Sequence, residues 1–389
     1  MSGPGAGRDL GRRLTDGVLA PMKEAFVGKD EVIDLLGISL VAGENLFVLG
    51  PPGTAKSALV HDLGRRLEGR TFEYLLTRFT EPGEIFGPFD IRRLREGELV
   101  TNTEGMLPEA DLVFLDELLN ANSAILNSLL TALNERVFRR GRETRPLPSL
   151  LVVGAGNRLP EDDALGALFD RFLLRVRCDN VPPERLGEVL EAGWRLEMGA
   201  GPARPAFSVE DVRKLHALLA VADFSRVRPA MVELVHRLRH AGIAISDRRA
   251  VKLQRPVAAS ALLCGRLEAL ISDLWVLRHI WDAEEQVEVL SGVVNSVVEK
   301  APASGEASGR EAHPRARQGD RPDPEAIARD LEAIARRLGE VGDAAAERSY
   351  LEDRLGVLAA RIQWVEGDEA RSFLQERVNE LWARLGRKA

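Results

Sequence analysis

The stretch Asn45-Leu-Phe-Val-Leu-Gly50-Pro51-Pro52-Gly53-Thr54-Ala55-Lys56-Ser57-Ala-Leu-Val governs the reading of this chain. A short apolar run enters a Gly/Pro loop, Lys-Ser follows, and a helical pattern starts at once. This is the pattern of a phosphate-binding loop, in which backbone N–H groups of the loop and of the helix N-terminus cradle phosphates. It assigns Gly50, Pro51, Pro52, Gly53, Thr54, Ala55, Lys56 and Ser57 to ATP. Lys56 would reach the β- and γ-phosphates, and the Ser57 hydroxyl would coordinate Mg2+. One position departs from the pattern: the glycine expected just before the lysine is Ala55. Alanine disfavours φ > 0, so a right-handed conformation is expected there.

Further short apolar runs lie outward from this loop, at Phe72–Leu76, Leu112–Leu115, Leu150–Val153 and Phe172–Val176. Each has the length of a buried strand, and the gaps between them can hold helices. Strands alternating with helices imply an α/β domain with a mainly parallel sheet, expected over residues 15–180. Three of these strands end in polar residues suited to phosphoryl transfer. Asp111-Leu-Val-Phe-Leu-Asp116-Glu117 ends in two carboxylates about 60 residues after the loop lysine. Asp116 is a candidate to hold Mg2+, and Glu117 to orient and polarise the attacking water. Leu151-Val-Val-Gly-Ala-Gly-Asn157 ends in an amide that could meet the γ-phosphate or the lytic water. Arg171, in Leu168-Phe169-Asp170-Arg171-Phe172, is of the type that stabilises charge on a transferring phosphoryl group.

Residues 1–14 are rich in Gly and Arg and are expected to be a flexible N-terminus without a secretory signal. From 181 to 299 apolar residues recur at helical spacing (Val212, Leu215, Leu218 and Leu219; Val232, Leu234, Val235 and Leu238), which predicts an all-helical lid domain without strands. Residues 300–323 turn to Ala, Pro, Gly, Ser and charge, the composition of a flexible linker. Three heptad-like stretches follow over 324–389: Ile327 to Val341, Leu351 to Ile362 and Leu374 to Leu385. Gly342-Asp343 and Gly367-Asp368 separate them as turns. They predict a short C-terminal helical bundle or antiparallel coiled coil, either self-contained or a docking module for a partner or neighbouring subunit.

The formal net charge is −7, which weighs against a protein whose main task is gripping nucleic acid. The dense basic set Arg136, Arg139, Arg140, Arg142 and Arg145 is expected on a hairpin before the Asn157 strand, either solvated or facing a substrate, nucleic acid or neighbouring subunit. The two cysteines, Cys178 and Cys264, fit a reducing cytosol. No apolar run reaches the roughly 18 to 20 residues of a membrane span, so a cytoplasmic location is expected.

The motifs fall in the order of the AAA+ fold, and several segments between them resemble the MoxR family. These are Thr77-Arg-Phe-Thr-Glu-Pro-Gly-Glu-Ile-Phe-Gly87-Pro88, Glu104-Gly-Met-Leu-Pro108-Glu109-Ala and Ala124-Ile-Leu-Asn-Ser-Leu-Leu-Thr-Ala-Leu-Asn-Glu-Arg136. Ser246-Asp-Arg248-Arg249 and Ala259-Ser-Ala-Leu-Leu-Cys-Gly265-Arg266 resemble its RavA-like branch. The resemblance covers roughly residues 20–285. It implies that Asp116 and Glu117 are the Walker B pair, Asn157 the sensor 1 residue, and Arg171 an arginine finger acting in trans. Arg248 would be the sensor 2 arginine, with Arg249 as its rival. Val27 and Gly28 would pack near the adenine, and the segment around Glu84 to Gly105 would hold an insert facing a central pore. The β-rich domain that RavA-like proteins insert among their C-terminal helices finds no room here. The resemblance further implies a hexameric, chaperone-like ATPase with a von Willebrand factor A domain partner and a protein client. A nucleic-acid motor and a slow, nucleotide-gated scaffold are the alternatives.

Overall fold

The computed structural model describes residues 4–140, 143–160, 163–199, 205–298, 312–317, 324–340 and 368–385, with isolated positions between 351 and 365. All five apolar runs form strands: β1 (Leu46–Leu49), β2 (Thr71–Leu75), β3 (Leu112–Asp116), β4 (Leu151–Gly156) and β5 (Leu174–Arg177). They make one parallel sheet in the order β2-β3-β4-β1-β5. Every residue of β1 and β4 is buried, as is Leu112 to Leu115 of β3. That is why these strands read as unbroken apolar runs and not as alternating ones. In register, Leu49 faces Gly156 and Leu115 faces Gly154, so the C-terminal ends of β1, β3 and β4 lie side by side. In α/β sheets that edge is where ligands bind.

The helix Asp30–Ala42 is buried from Val32 to its last residue, and Gly43 ends it in the left-handed conformation that caps helices without a Cβ penalty. The N-terminus differs from the expectation of flexibility. Residues Pro4–Leu14 form a helix, Leu14 is fully buried, and a Cβ on Gly11 would lie 1.8 Å from the Leu262 carbonyl oxygen. Backbone contact of this closeness needs glycine, so a residue that looked like a mark of flexibility is a packing residue. Among the described residues after 181 the elements are helical as expected apart from Phe207–Ser208, two residues paired in parallel with Leu67–Glu68.

Two compact units divide the chain, Met1–Ala316 and Arg317–Ala389. The first therefore extends into the expected linker. Pro314–Arg317 is a short helix, and His313 is buried with its ring 4.8 Å from that of Trp275. Arg315 donates to Asp34 (2.8 Å) and its carbonyl accepts from Arg278 (2.6 Å). These contacts fix residues that composition alone marks as linker. The second unit has its own core of Ile327, Leu331, Ile334, Leu351, Leu355, Leu358, Ile362, Val365, Leu374, Val378, Leu381 and Leu385. These are heptad positions with Val365 added, and Leu338, a further heptad position, is partly buried against them. Val341, Gly342, Asp343 and Gly367 lie outside the described residues. No described helix is long and apolar enough to cross a membrane.

Candidate nucleotide-binding site

The loop between β1 and the helix Lys56–Arg66 stands at the C-terminal edge of the sheet. Gly50 is fixed there from both sides: its N–H donates to Gly156 (3.0 Å), and a Cβ on it would meet the Cys178 carbonyl oxygen at 2.2 Å. The Cys178 thiol in turn donates to the Thr54 carbonyl (3.2 Å), and the Thr54 hydroxyl to Pro51 (2.9 Å). Pro51, Pro52 and Gly53 are exposed, and Gly53 takes φ +82° with open space around it. Lys56 is buried, and its ammonium donates to the carbonyls of Gly50 and Pro51, each at 2.9 Å, which holds the charge at the loop.

Ala55 is not right-handed. It adopts φ 69° and ψ 21°. Successive N–H groups converge on one side of a loop only where the chain alternates its hand, and the turn into the helix supplies that alternation. The methyl group is accommodated at a cost on the order of 1 kcal/mol.

Asp116 ends β3, and its carboxylate accepts from the N–H of Glu117 (2.9 Å). Glu117 also lies in the left-handed region, at φ 49° and ψ 43°. Two strained non-glycine residues, Ala55 and Glu117, thus flank the same edge, a placement typical of functional sites. Asn157 is exposed immediately after Gly156, the register partner of Leu49. The loop, the two carboxylates and the amide are therefore brought together at one end of adjacent strands. The turn at Val27 and Gly28 adjoins them. Gly28 takes φ +71°, and a Cβ on it would lie 2.8 Å from Val181, three residues beyond the Cys178 that supports the loop. ATP fits this cradle: the exposed Gly53, the buried ammonium and the helix N-terminus offer N–H groups and charge to phosphates. The Ser57 hydroxyl and the Asp116 carboxylate are the oxygen ligands a hard divalent cation takes.

Arg171 stands elsewhere. It precedes β5, and its carbonyl accepts from the Nδ2 of Asn45, the residue before β1. Its neighbours Phe169 and Phe172 are buried, with ring centroids 5.0 and 5.9 Å from that of Phe47 on β1. These anchors hold the Asp170–Arg171 turn at the N-terminal edge of the sheet. Arg171 lines a cleft of about 500 Å³ together with Arg248, Arg249, Lys252 and Asp282. Its Nε is buried without a hydrogen-bond partner.

The two candidate lid arginines differ in their contacts. Arg249 donates to Asp282 (2.7 Å) and to the carbonyls of Ile280 (2.5 Å) and Ala244 (3.2 Å). Arg248 is exposed at the mouth of the same cleft. Asp282 also receives Arg175 of β5 at 2.5 Å. Arg175 is 1% exposed and stacks over Phe169, and burial brings its guanidinium down to about 10. Arg175 and Asp282 tie the lid to the sheet beside Arg171. Neither stands out in the sequence, where an arginine in a strand and an aspartate after a tryptophan carry no motif.

The basic cluster is on a hairpin, Val137–Arg140 against Glu143–Pro146, and its described members are engaged. Arg136 donates to Ser149, Gly43 and Asn45, and burial lowers its pKa. Arg139 pairs with Glu135 (2.8 Å), Arg140 lies over the Phe89 ring and donates to Gly87, and Arg145 bonds Thr103 and Glu143. Arg142 lies outside the described residues. Each described arginine of the cluster thus has a partner within the fold, and carboxylates of the hairpin region face two of them, Arg139 and Arg145. Within the expected pore insert, Phe89 bridges Thr101 and frames the short helix Ile91–Arg95. Ile91, Leu94 and Leu99 are exposed there beside Arg92, Arg93 and Arg95.

A parallel sheet in this order, with the phosphate loop on an inner strand, a carboxylate pair on β3 and a helical lid, is the AAA+ ATPase architecture. A family model described as the MoxR domain in the MoxR-vWA-beta-propeller ternary systems matches residues 12–217, and one for an AAA lid domain matches residues 226–294. An uncharacterized protein of Methanocaldococcus jannaschii is 36% identical over 277 residues, 71% of this chain and 72% of the relative. A second from the same organism is 37% identical over 258 residues, 66% and 68% of the respective chains. The chaperone MoxR1 of Mycobacterium tuberculosis is 26% identical over 221 residues, 56% of either chain. The crystal structure of a candidate ATPase from Cytophaga hutchinsonii shares the fold, at 20% identity and a TM-score of 0.62 over 76% of this chain and 96% of that one. The chain belongs to the MoxR family of AAA+ ATPases.

Proposed function

We propose that this chain hydrolyses ATP to ADP and phosphate as a ring-forming, chaperone-like remodeller, a hexamer in the AAA+ manner. The observation that carries this is the division of phosphate chemistry between opposite edges of one sheet. Lys56, Ser57, Asp116, Glu117 and Asn157 gather at the C-terminal edge, whereas Arg171, bonded through its carbonyl to Asn45 just before β1, lines a cleft with Arg248 beyond the N-terminal end of β5. Leu46 pairs with Leu174 and Leu49 with Arg177, so a full strand, roughly 13 Å, separates the two edges. A subunit holding ATP on its own loop therefore lacks its own arginines, and a neighbour would supply them.

In this mechanism the loop N–H groups and Lys56 bind and orient the triphosphate. Glu117 takes a proton from the attacking water, or holds that water in line with the γ-phosphate. Asn157 positions the same water or a γ-oxygen. Arg171 of one subunit, with Arg248 beside it, offsets charge that develops on the neighbour's γ-phosphate. Ser57 and Asp116 would hold Mg2+, which would supply further charge neutralisation. Val27 and Gly28 shape the adenine end.

The exposed Ile91, Leu94 and Leu99 support a role for the insert in gripping a protein client. The description of the matching family model supports a partner with a von Willebrand factor A domain, and the Ser246–Arg249 and Ala259–Arg266 segments support the RavA-like branch within the family. A cytoplasmic setting agrees with the unpaired cysteines. The test is to mix Lys56→Ala subunits, which retain both arginines, with Arg171→Ala subunits, which retain the loop. Each is expected to be inactive alone, and hydrolysis should return on mixing. Demonstrated subunit exchange without returning activity would overturn the shared site.

A further inference from the structure

We propose that Asn45, held by Arg136, is a positioning residue that sets how Arg171 is presented to the neighbouring subunit. This rests on the reading of Arg171 as an arginine acting in trans. Asn45 is buried and uses both ends of its amide: Nδ2 donates to the Arg171 carbonyl (2.8 Å), and Oδ1 accepts from Arg136 (2.9 Å). The guanidinium of Arg136 reaches Asn45, the Gly43 carbonyl (3.0 Å) and the Ser149 carbonyl (3.0 Å) at once. It thereby spans the ends of three segments that meet at the N-terminal edge. Arg136 takes φ 53°, a left-handed conformation that costs energy for any residue with a Cβ, and its guanidinium is partly desolvated. Strain and burial at one arginine are retained where a specific bridge depends on them.

The bridge also has a far end. Arg136 caps the helix Ser123–Glu135, whose thirteen residues span about 20 Å. The other end of that helix begins six residues after Glu117. There Asn122 caps it and donates to the carbonyls of Arg78 and Thr80. One rigid rod thus runs from the carboxylate edge, where a subunit would hold its own nucleotide, to the amide that fixes the turn carrying Arg171. A displacement at Glu117 would be delivered through Arg136 and Asn45 to the neighbour's site. Arg171 has no second side-chain hydrogen bond to its main chain among the described residues, so the Asn45 bond is the means of transmission.

The test places Asn45→Asp in one partner of the mixed ring at a time. Aspartate keeps the acceptor facing Arg136 but loses the N–H that Arg171 accepts. Added to the Lys56→Ala subunit, which donates the arginine, it should lower the returning activity about 10- to 100-fold, as expected for a misplaced catalytic group. Added to the Arg171→Ala subunit, which donates only the loop, it should leave the returning activity unchanged. ATP affinity should hold in both. Arg136→Lys, which keeps the charge but cannot span the three partners, should repeat the asymmetry more weakly. Equal losses in both placements, or no loss in either, would overturn the inference by assigning Asn45 a structural role or none. If the parent pair regains no activity with subunit exchange shown, the trans reading itself fails and the inference falls with it.

Discussion

Lys56 and Arg171 stand at opposite edges of the same sheet, one following the C-terminal end of β1, the other preceding the N-terminal end of the adjacent parallel strand β5. Lys56 turns back onto the loop carbonyls, and Arg171 opens into a basic cleft with Arg248 and Lys252. No rotamer change bridges a strand length, so the two groups are expected to act on different nucleotides.

Loss of Lys56 and loss of Glu117 should separate binding from chemistry. Lys56→Ala is expected to abolish ATP binding, because the loop has no other side-chain cation. Glu117→Gln should bind ATP with near-normal affinity and hydrolyse it at least about 10²-fold more slowly, since an amide is a far weaker base than a carboxylate. Equilibrium binding of a fluorescent ATP analogue and steady-state phosphate release distinguish the two. Equal loss of affinity in both variants would contradict the division.

The paired lid arginines should respond differently. Arg249→Ala removes a partner from Asp282 and is expected to cost about 2 kcal/mol of stability. Arg248→Ala touches no such network and should alter stability by less than about 0.5 kcal/mol while slowing hydrolysis. Thermal melts alongside turnover rates check the contrast. A destabilised Arg248→Ala would reverse the assignment.

At Ala55 the left-handed backbone gives a signed expectation. Ala55→Val should be destabilising by about 1–2 kcal/mol, because β-branched residues are outliers at positive φ. Ala55→Gly should fold at least as well as the parent and keep its ATP affinity. A valine variant as stable as the parent would show that the loop adopts another conformation in solution.

Truncation should place the boundary of the first unit beyond the residues composition marks as linker. A chain ending at Arg317 keeps Arg315 on Asp34, whereas one ending at residue 300 leaves that buried carboxylate with Lys23 alone and uncovers Trp275. The shorter chain should be less stable by about 2 kcal/mol or more, a shift on the order of 5 °C. Equal melting temperatures would show that residues 312–317 contribute nothing.

The same segment makes stability depend on pH. Burial brings the His313 imidazole down to about 4 from its ordinary 6.5, and its Nδ1 accepts the Arg315 N–H. Between these values the unfolded chain binds a proton that the folded chain excludes. Stability should therefore fall as pH drops through that window, by up to about 3 kcal/mol from this group. His313→Phe, which preserves the stacking on Trp275, should flatten most of the slope in urea melts at pH 7 and pH 5. His216, also held down by burial, would contribute a slope of the same sign. An unchanged slope would place the linkage elsewhere.

The amino-acid sequence by itself determined the five strands, the loop from Gly50 to Ser57, the carboxylate pair and the C-terminal heptads. Each of these is a local pattern: a buried strand must be apolar along its length, a phosphate loop must be short and glycine-rich, and a helical seam must repeat at helical spacing. What only the tertiary structure decided depends on residues far apart in the chain. Gly11 reads as flexibility until the Leu262 carbonyl lies against it. His313 and Arg315 read as linker until Trp275 and Asp34 meet them, and Arg136, Arg139, Arg140 and Arg145 read as solvated or outward-facing until Asn45, Glu135, Gly87 and Thr103 meet them. Ala55 was expected to be right-handed on its own preference, a term of about 1 kcal/mol that the required turn into the helix outweighs. The difference in contacts between Arg248 and Arg249 rests on where Asp282 lies, 33 residues downstream of the residue it binds. Through-space partners of that kind leave no periodicity in the chain, so only folding reveals which of the two cleft arginines is tied down and which is left exposed.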